Sequence, residues 1–147
     1  GFGLRVLIYQ FMKDNSTNER RVLQLCQNIT IVDGLASEKF SFQMSQEEKA
    51  QRKAYYEEQL RRVTEMACRE NYDVLFLDET LYTIGAGLLD ESLVLDFLKN
   101  KPKHLEVILT GQNPSQALID AADYVSEIRK IKHPFDQGMA ARKGIER

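Results

Sequence analysis

Cysteine is scarce in this 147-residue chain: Cys26 and Cys68 are its only two, far apart and in no CxxC or other metal-ligand spacing. That speaks against a disulfide framework and a zinc site, and predicts two isolated core or surface thiols in a reducing interior. No apolar run approaches the ~20 residues that a membrane span needs, so no membrane partner is expected and the reading is a soluble, cytoplasmic protein. Charge of one sign is missing too. Twenty basic against 22 acidic side chains leave a formal charge of −2, without the electrostatic footprint of a nucleic-acid or anionic-membrane binder. Anion binding would have to be local. Internal repeats, linkers and low-complexity stretches are likewise absent, and the hydrophobic fraction of 43% suits one globular domain over residues 1–147.

What is present alternates between two periodicities. Val6 to Phe11 is a nearly continuous apolar run, the pattern of a strand buried on both faces of a parallel sheet. Lys13 to Arg21 reads as a loop, and Asn28 to Val32 as a shorter strand before an Asp33-Gly34 turn. From Ser41 to Asn71 the pattern is helical. Ser45 to Glu48 resembles a capping box, and Ala50, Ala54, Leu60, Val63 and Ala67 can line one face. Tyr72 to Leu77 is a strand that stops abruptly at Asp78-Glu79. Leu89 to Asn100 follows as a helix, favoured at its start by Asp90-Glu91-Ser92 and stopped by Pro102. Leu105 to Gly111 reads as a strand and turn, Ser115 to Ala122 as a helix, and Tyr124 to Ile128 as a last strand. This alternation predicts a three-layer α/β/α fold with a mostly parallel sheet.

Ligands of such sheets sit beyond the carboxyl ends of the strands. That rule nominates Gln10 to Lys13, Asp78-Glu79, Thr110-Gly111-Gln112 and the segment after Ile131, four strand ends facing one crevice. An apolar strand ending in Asp78-Glu79 has the form of a Walker B strand, whose acid acts through the magnesium of a bound nucleotide. A helix N-cap at Asp78 and a surface acid at Glu79 are the plainer alternative. The Walker A partner GxxxxGK[ST] does not occur in these residues; Gly85 and Gly87 are not followed by Lys-Ser or Lys-Thr and read as loop or helix-end glycines. Near the other end, His133 precedes a proline and Asp136 could cap a terminal helix packed on the sheet.

Taken in order, Arg5-Val6-Leu7, Gln10 to Lys13, Asn18-Glu19-Arg20, Leu77-Asp78-Glu79, Thr110-Gly111, Ala121 to Arg129, Lys132-His133-Pro134-Phe135-Asp136-x-Gly138 and Lys143 to Glu146 resemble the P-loop corrinoid adenosyltransferases. The resemblance runs through essentially the whole chain. It implies a P-loop NTPase fold of RecA-like type and an enzyme that moves the 5′-deoxyadenosyl group of ATP to the cobalt of a reduced corrinoid, releasing triphosphate. It also implies ATP, Mg2+ and corrinoid as ligands, a flavoprotein reductant as a partner, and a homodimer. Gly1 and Gly3 look like the end of a preceding helix, and the family's first strand, glycine-rich loop and helix, about 30 residues, have no counterpart here. The expectation is an N-terminally incomplete domain with exposed strand edges that binds ATP weakly or not at all by itself.

Carried over residue by residue, Asp78 matches the Walker B acid, and Glu79 the acid that contacts the metal-nucleotide or corrinoid. Both are the candidate catalytic residues and the candidate contacts to Mg2+. Gln10 and Lys13 are the further nucleotide candidates. Phe40 and Phe42 fall where the family wedges aromatics under the corrin ring, although core packing explains the pair equally well from the residues alone. His133 and Asp136 resemble residues near the corrin amides. Gln112 stands where the family usually has arginine, which removes a cation from the corrinoid or phosphate contacts. Two other readings remain at this level: a non-catalytic corrinoid binder, and a fragment of an unrelated P-loop ATPase.

Overall fold

The computed structural model describes residues 2–36, 44–142 and 144–145. Four strands, β1 (Val6–Gln10), β2 (Ile29–Ile31), β3 (Val74–Asp78) and β4 (Glu106–Leu109), form one parallel sheet in the order β2-β1-β3-β4. Among the described residues five α-helices flank it: α1 (Asn18–Leu23), α2 (Gln46–Arg69), α3 (Thr80–Gly85), α4 (Glu91–Asn100) and α5 (Gln116–Ala121). The α/β architecture is the one the alternation predicts. Connections out of β1 lead to β2 on one side, and those out of β3 lead to β4 on the other, so the strand order reverses between β1 and β3. A crevice opens at such a reversal.

The core forms where α2 lies on β1 and β3. Tyr56, Leu60, Val63 and Ala67, spaced by three and four residues, are all buried, as one face of a helix must be to cover a sheet. The Phe11 ring meets Tyr9 edge-on at 4.8 Å and Tyr56 at 5.4 Å. The capping box is present: the Ser45 amide donates to Glu48 Oε2 at 2.8 Å, and the Glu48 amide to Ser45 Oγ at 3.2 Å. Ala50 and Ala54, however, are exposed. A helix of 24 residues is about 36 Å long and overruns strands of five residues. The start of α4 also stands as read, with Asp90 accepting from the Ser92 amide at 3.0 Å; α5 begins on a cap not anticipated from sequence, Ser115, which accepts from the Leu118 amide at 3.2 Å.

Several expectations need correction. The stretch read as a loop contains α1, a six-residue helix too short to show periodicity; a tertiary contact holds it, the buried Arg20 guanidinium pairing with Asp33. The helix α3 was hidden by Thr80 and Thr83, poor helix formers in isolation. Both are fully buried, with hydroxyls donating to the Leu77 and Glu79 carbonyls at 2.9 and 2.8 Å. Gly85 does end that helix.

The last strand does not form. Among the described residues Tyr124 to Ile128 pairs with no strand, and Tyr124 and Ile128 are 94% and 98% exposed; a strand needs a neighbour's ladder. The crevice therefore has three strand ends, and the segment after Ile131 is not a fourth. Instead of a terminal helix there is one 3-10 turn, Pro134–Gln137, capped by His133, whose Nδ1 accepts from the Phe135 amide at 3.1 Å, and closed by Gly138 at φ 80°. Asp136 is not its cap and pairs with Lys130 at 2.8 Å.

Candidate functional site

The strands on either side of the reversal end together. Gln10 and Asp78 are register partners, and the Phe11 amide donates to the Asp78 carbonyl at 3.0 Å. Beyond Gln10 the chain turns through Met12, in the left-handed region at φ 55°, with its amide donating to the Tyr56 hydroxyl at 3.1 Å. That turn brings Lys13 back over the end of β3. Its Nζ donates to Asp78 Oδ2 at 2.7 Å and to Glu19 Oε1, from the first turn of α1, at 3.3 Å. Gln10 Nε2 joins the same two carboxylates at 3.2 Å and 2.8 Å.

The third strand end closes the group. Thr110, just past β4, donates from Oγ1 to Asp78 Oδ1 at 2.7 Å and accepts from the Glu79 amide at 3.0 Å. One hydroxyl thus fixes the Asp78 carboxylate and the backbone of Glu79, which sits in the left-handed region at φ 58° as the residue before α3. The Leu81 amide in turn donates to the Thr110 carbonyl at 3.0 Å. This close approach requires Gly111. At φ 134°, a Cβ there would lie 2.7 Å from the Tyr82 nitrogen and 2.9 Å from Leu81 Cβ.

Burial pushes the Asp78 carboxyl up, but the hydrogen bonds from Lys13, Thr110 and Gln10 and the Lys13 charge outweigh it and hold it below the usual carboxylate range. Burial pulls Lys13 down, and its bonds and attraction to Asp78 and Glu19 lift it above the usual amine value. Glu19 is raised by burial and lowered by more through Gln10 and Lys13. At neutral pH the cluster carries two negative charges and one positive.

Of the residues nominated from sequence, Gln10, Lys13 and Asp78 converge, with Glu79 next to them. Gln112 lies two residues past Thr110, exposed, on the trough beside β4. His133 and Asp136 are exposed in the C-terminal stretch, bonded to the Phe135 amide and to Lys130. Phe40 and Phe42 lie outside the described residues. Thr110 and Glu19 are the site side chains missed. The strand-end rule reached Thr110 as a position but not as a ligand of Asp78, and Glu19 is brought in by a helix without sequence periodicity. No group of three or more His, Cys, Asp or Glu able to hold a metal is found among the described residues, and none of their helices is long and apolar enough to cross a membrane.

Residues 1–147 match the family model described as ATP:corrinoid adenosyltransferase BtuR/CobO/CobP. The chain belongs to the ATP:corrinoid adenosyltransferase family. A corrinoid adenosyltransferase of a Sinorhizobium species is 30% identical over 151 residues, which cover 98% of this chain and 67% of the relative. The corrinoid adenosyltransferase CobA of Salmonella typhimurium is 39% identical over 74 residues, covering 50% of this chain and 38% of its own. The Escherichia coli K12 corrinoid adenosyltransferase is 35% identical over 81 residues, covering 55% and 41%. The matches thus span two thirds of one relative and about two fifths of the others. Membership in the corrinoid adenosyltransferases sets aside the unrelated ATPase fragment.

Proposed function

We propose that this chain is the acid-strand and corrinoid-facing part of an enzyme that transfers the 5′-deoxyadenosyl group of ATP to a reduced corrinoid. In that reaction the Co(I) substrate supplies both electrons of the new cobalt–carbon bond, and the C5′–oxygen bond breaks with its electron pair leaving on triphosphate. No side-chain nucleophile is needed, and the protein's work is positioning and charge stabilisation. The observation that carries the reading is Asp78 at the strand-order reversal, held on both carboxylate oxygens by Lys13, Gln10 and Thr110.

In this reading Lys13 moves from Asp78 to a phosphate oxygen when nucleotide arrives. The oxygens of Asp78, with Glu79 beside them, are then available to a divalent cation. Hard oxygen donors suit Mg2+, which is commonly held by one or two carboxylates plus substrate phosphates, and the two adjacent acids fit that pattern. The ion would screen charge developing on the leaving triphosphate. Gln112, His133 and Asp136 are carried forward as corrinoid contacts, together with Phe40 and Phe42. The exposed Phe135 supports that placement, since an apolar side chain held in water gains from a flat ring. A flavoprotein reductant and a homodimer belong to the same proposal through the family resemblance.

The test is anaerobic titration of Co(II) cobalamin with the protein, with and without MgATP, following the absorption of four-coordinate Co(II). A change that requires MgATP and is lost in Asp78→Asn is the expected result. Corrinoid binding indifferent to MgATP would favour a second reading, a non-catalytic corrinoid binder. Absence of any corrinoid binding would overturn both.

A further inference from the structure

The chain leaves β1 under a constraint that comes from another element. The Phe11 amide still bonds to β3, at the Asp78 carbonyl, 3.0 Å away. The next amide, that of Met12, donates not to a strand but to a side chain, the Tyr56 hydroxyl at 3.1 Å. Met12 itself sits at φ 55°, a conformation that residues other than glycine avoid. Such strain persists only where the surroundings over-determine it.

Tyr56 is well placed to do so. It lies on α2, 44 residues further along the chain, and is 1% exposed. Its ring packs on Phe11 at 5.4 Å and Tyr55 at 5.6 Å, with the Arg52 guanidinium over it at 5.8 Å. A ring locked in the core therefore fixes where its hydroxyl stands. Beyond Lys13 the same segment is anchored again: the Gly34 amide donates to Asn15 Oδ1 at 2.9 Å, and Asn15 Nδ2 to the Gly34 carbonyl at 3.3 Å. Lys13 lies between the two anchors. A long, flexible side chain is thus hung from a backbone that is held on both sides, and its Nζ reaches Asp78 at 2.7 Å.

We propose that Tyr56 is a positioning residue: its hydroxyl holds the Met12 turn that sets Lys13 over the end of β3, where Nζ is placed for a phosphate oxygen of the nucleotide. The proposal rests on the reading of Lys13 as a phosphate contact. Its action runs through the Met12 backbone, and its effect is that the ordering of the lysine segment is done before the nucleotide arrives.

The experiment is a double-mutant cycle of Tyr56→Phe and Lys13→Met in the 147-residue chain. Tyr56→Phe keeps the ring and deletes the acceptor. MgATP affinity is measured by calorimetry at a temperature where every variant is folded by circular dichroism, and the unfolding equilibrium is measured in urea. Tyr56→Phe should weaken MgATP about fivefold or more. In the Lys13→Met background the same change should alter affinity by about twofold at most, because no ammonium is left to place. In urea, the fold-change in the unfolding constant caused by Tyr56→Phe should be about threefold smaller once Lys13 is methionine. A Tyr56 that only fills the core would destabilise both backgrounds equally and leave the affinity of the folded protein unchanged; that result overturns the proposal. If Lys13→Met leaves MgATP affinity at the wild-type level, the phosphate reading of Lys13 fails on its own account. The urea cycle needs no nucleotide and then decides alone: coupling keeps Tyr56 as the residue that sets the Lys13–Asp78 pair, and additivity removes it.

Discussion

Lys13 and Asp78 are 65 residues apart in the chain and 2.7 Å apart in the fold. Their side chains are 31% and 14% exposed, so the pair is only partly screened by water. Asp78 also accepts from Thr110 and Gln10, which is why its charge survives burial. Removing either partner leaves the other desolvated and underpaired.

The pair should leave a signature in the pH dependence of stability. Asp78 has a lowered pKa in the folded protein, so its contribution is present above the ordinary carboxyl value of ~3.9 and is lost as pH falls through its depressed value. Lys13 has a raised pKa. Its contribution is present below ~10.4 and is lost as pH rises through the elevated value. Unfolding free energies of wild type and Lys13→Met from urea titrations should therefore differ by a constant amount at neutral pH, about 1–2 kcal/mol, and converge at both extremes. A difference that persists at pH 2 would refute the linkage.

Thr110 should behave as a hydroxyl and not as a shape. Thr110→Val keeps the volume but leaves Asp78 Oδ1 and the Glu79 amide without their partner, at a cost of about 1–3 kcal/mol. Thr110→Ser restores both bonds and should recover most of that loss in denaturant unfolding. Equal stability of the valine and serine variants would remove Thr110 from the site.

Gly111→Ala combines a backbone angle that side chains avoid with a Cβ 2.7 Å from the Tyr82 nitrogen. The expected loss is about 3 kcal/mol or more, read as a large fall in melting temperature. Gly87→Ala, at φ 73° with nothing within 4 Å, meets only the conformational part and should cost about 1–2 kcal/mol.

Ser45→Ala removes the hydroxyl that accepts from the Glu48 amide. A loss of about 1 kcal/mol is expected by thermal unfolding. Ser45→Asp should be nearly neutral, because a carboxylate caps the same amide and favours the positive end of α2.

Sequence by itself determined the elements whose physics is local. Continuous apolar runs made β1, β3 and β4 legible, although only β1 is buried on both faces. The caps Ser45 and Asp90 were legible because a side-chain oxygen bonds an amide two or three residues on. The strand-end rule likewise nominated Gln10, Lys13, Asp78 and Thr110 before any of them was seen together. Tertiary structure decided the rest. Only strand order could bring Lys13, Gln10 and Thr110 onto the Asp78 carboxylate, because that contact depends on β1 pairing with β3 rather than on any residue's neighbours in the chain. Tyr124 to Ile128 is the converse case: its sequence has strand character, but a strand exists only on another strand's hydrogen bonds, and none pairs with it among the described residues.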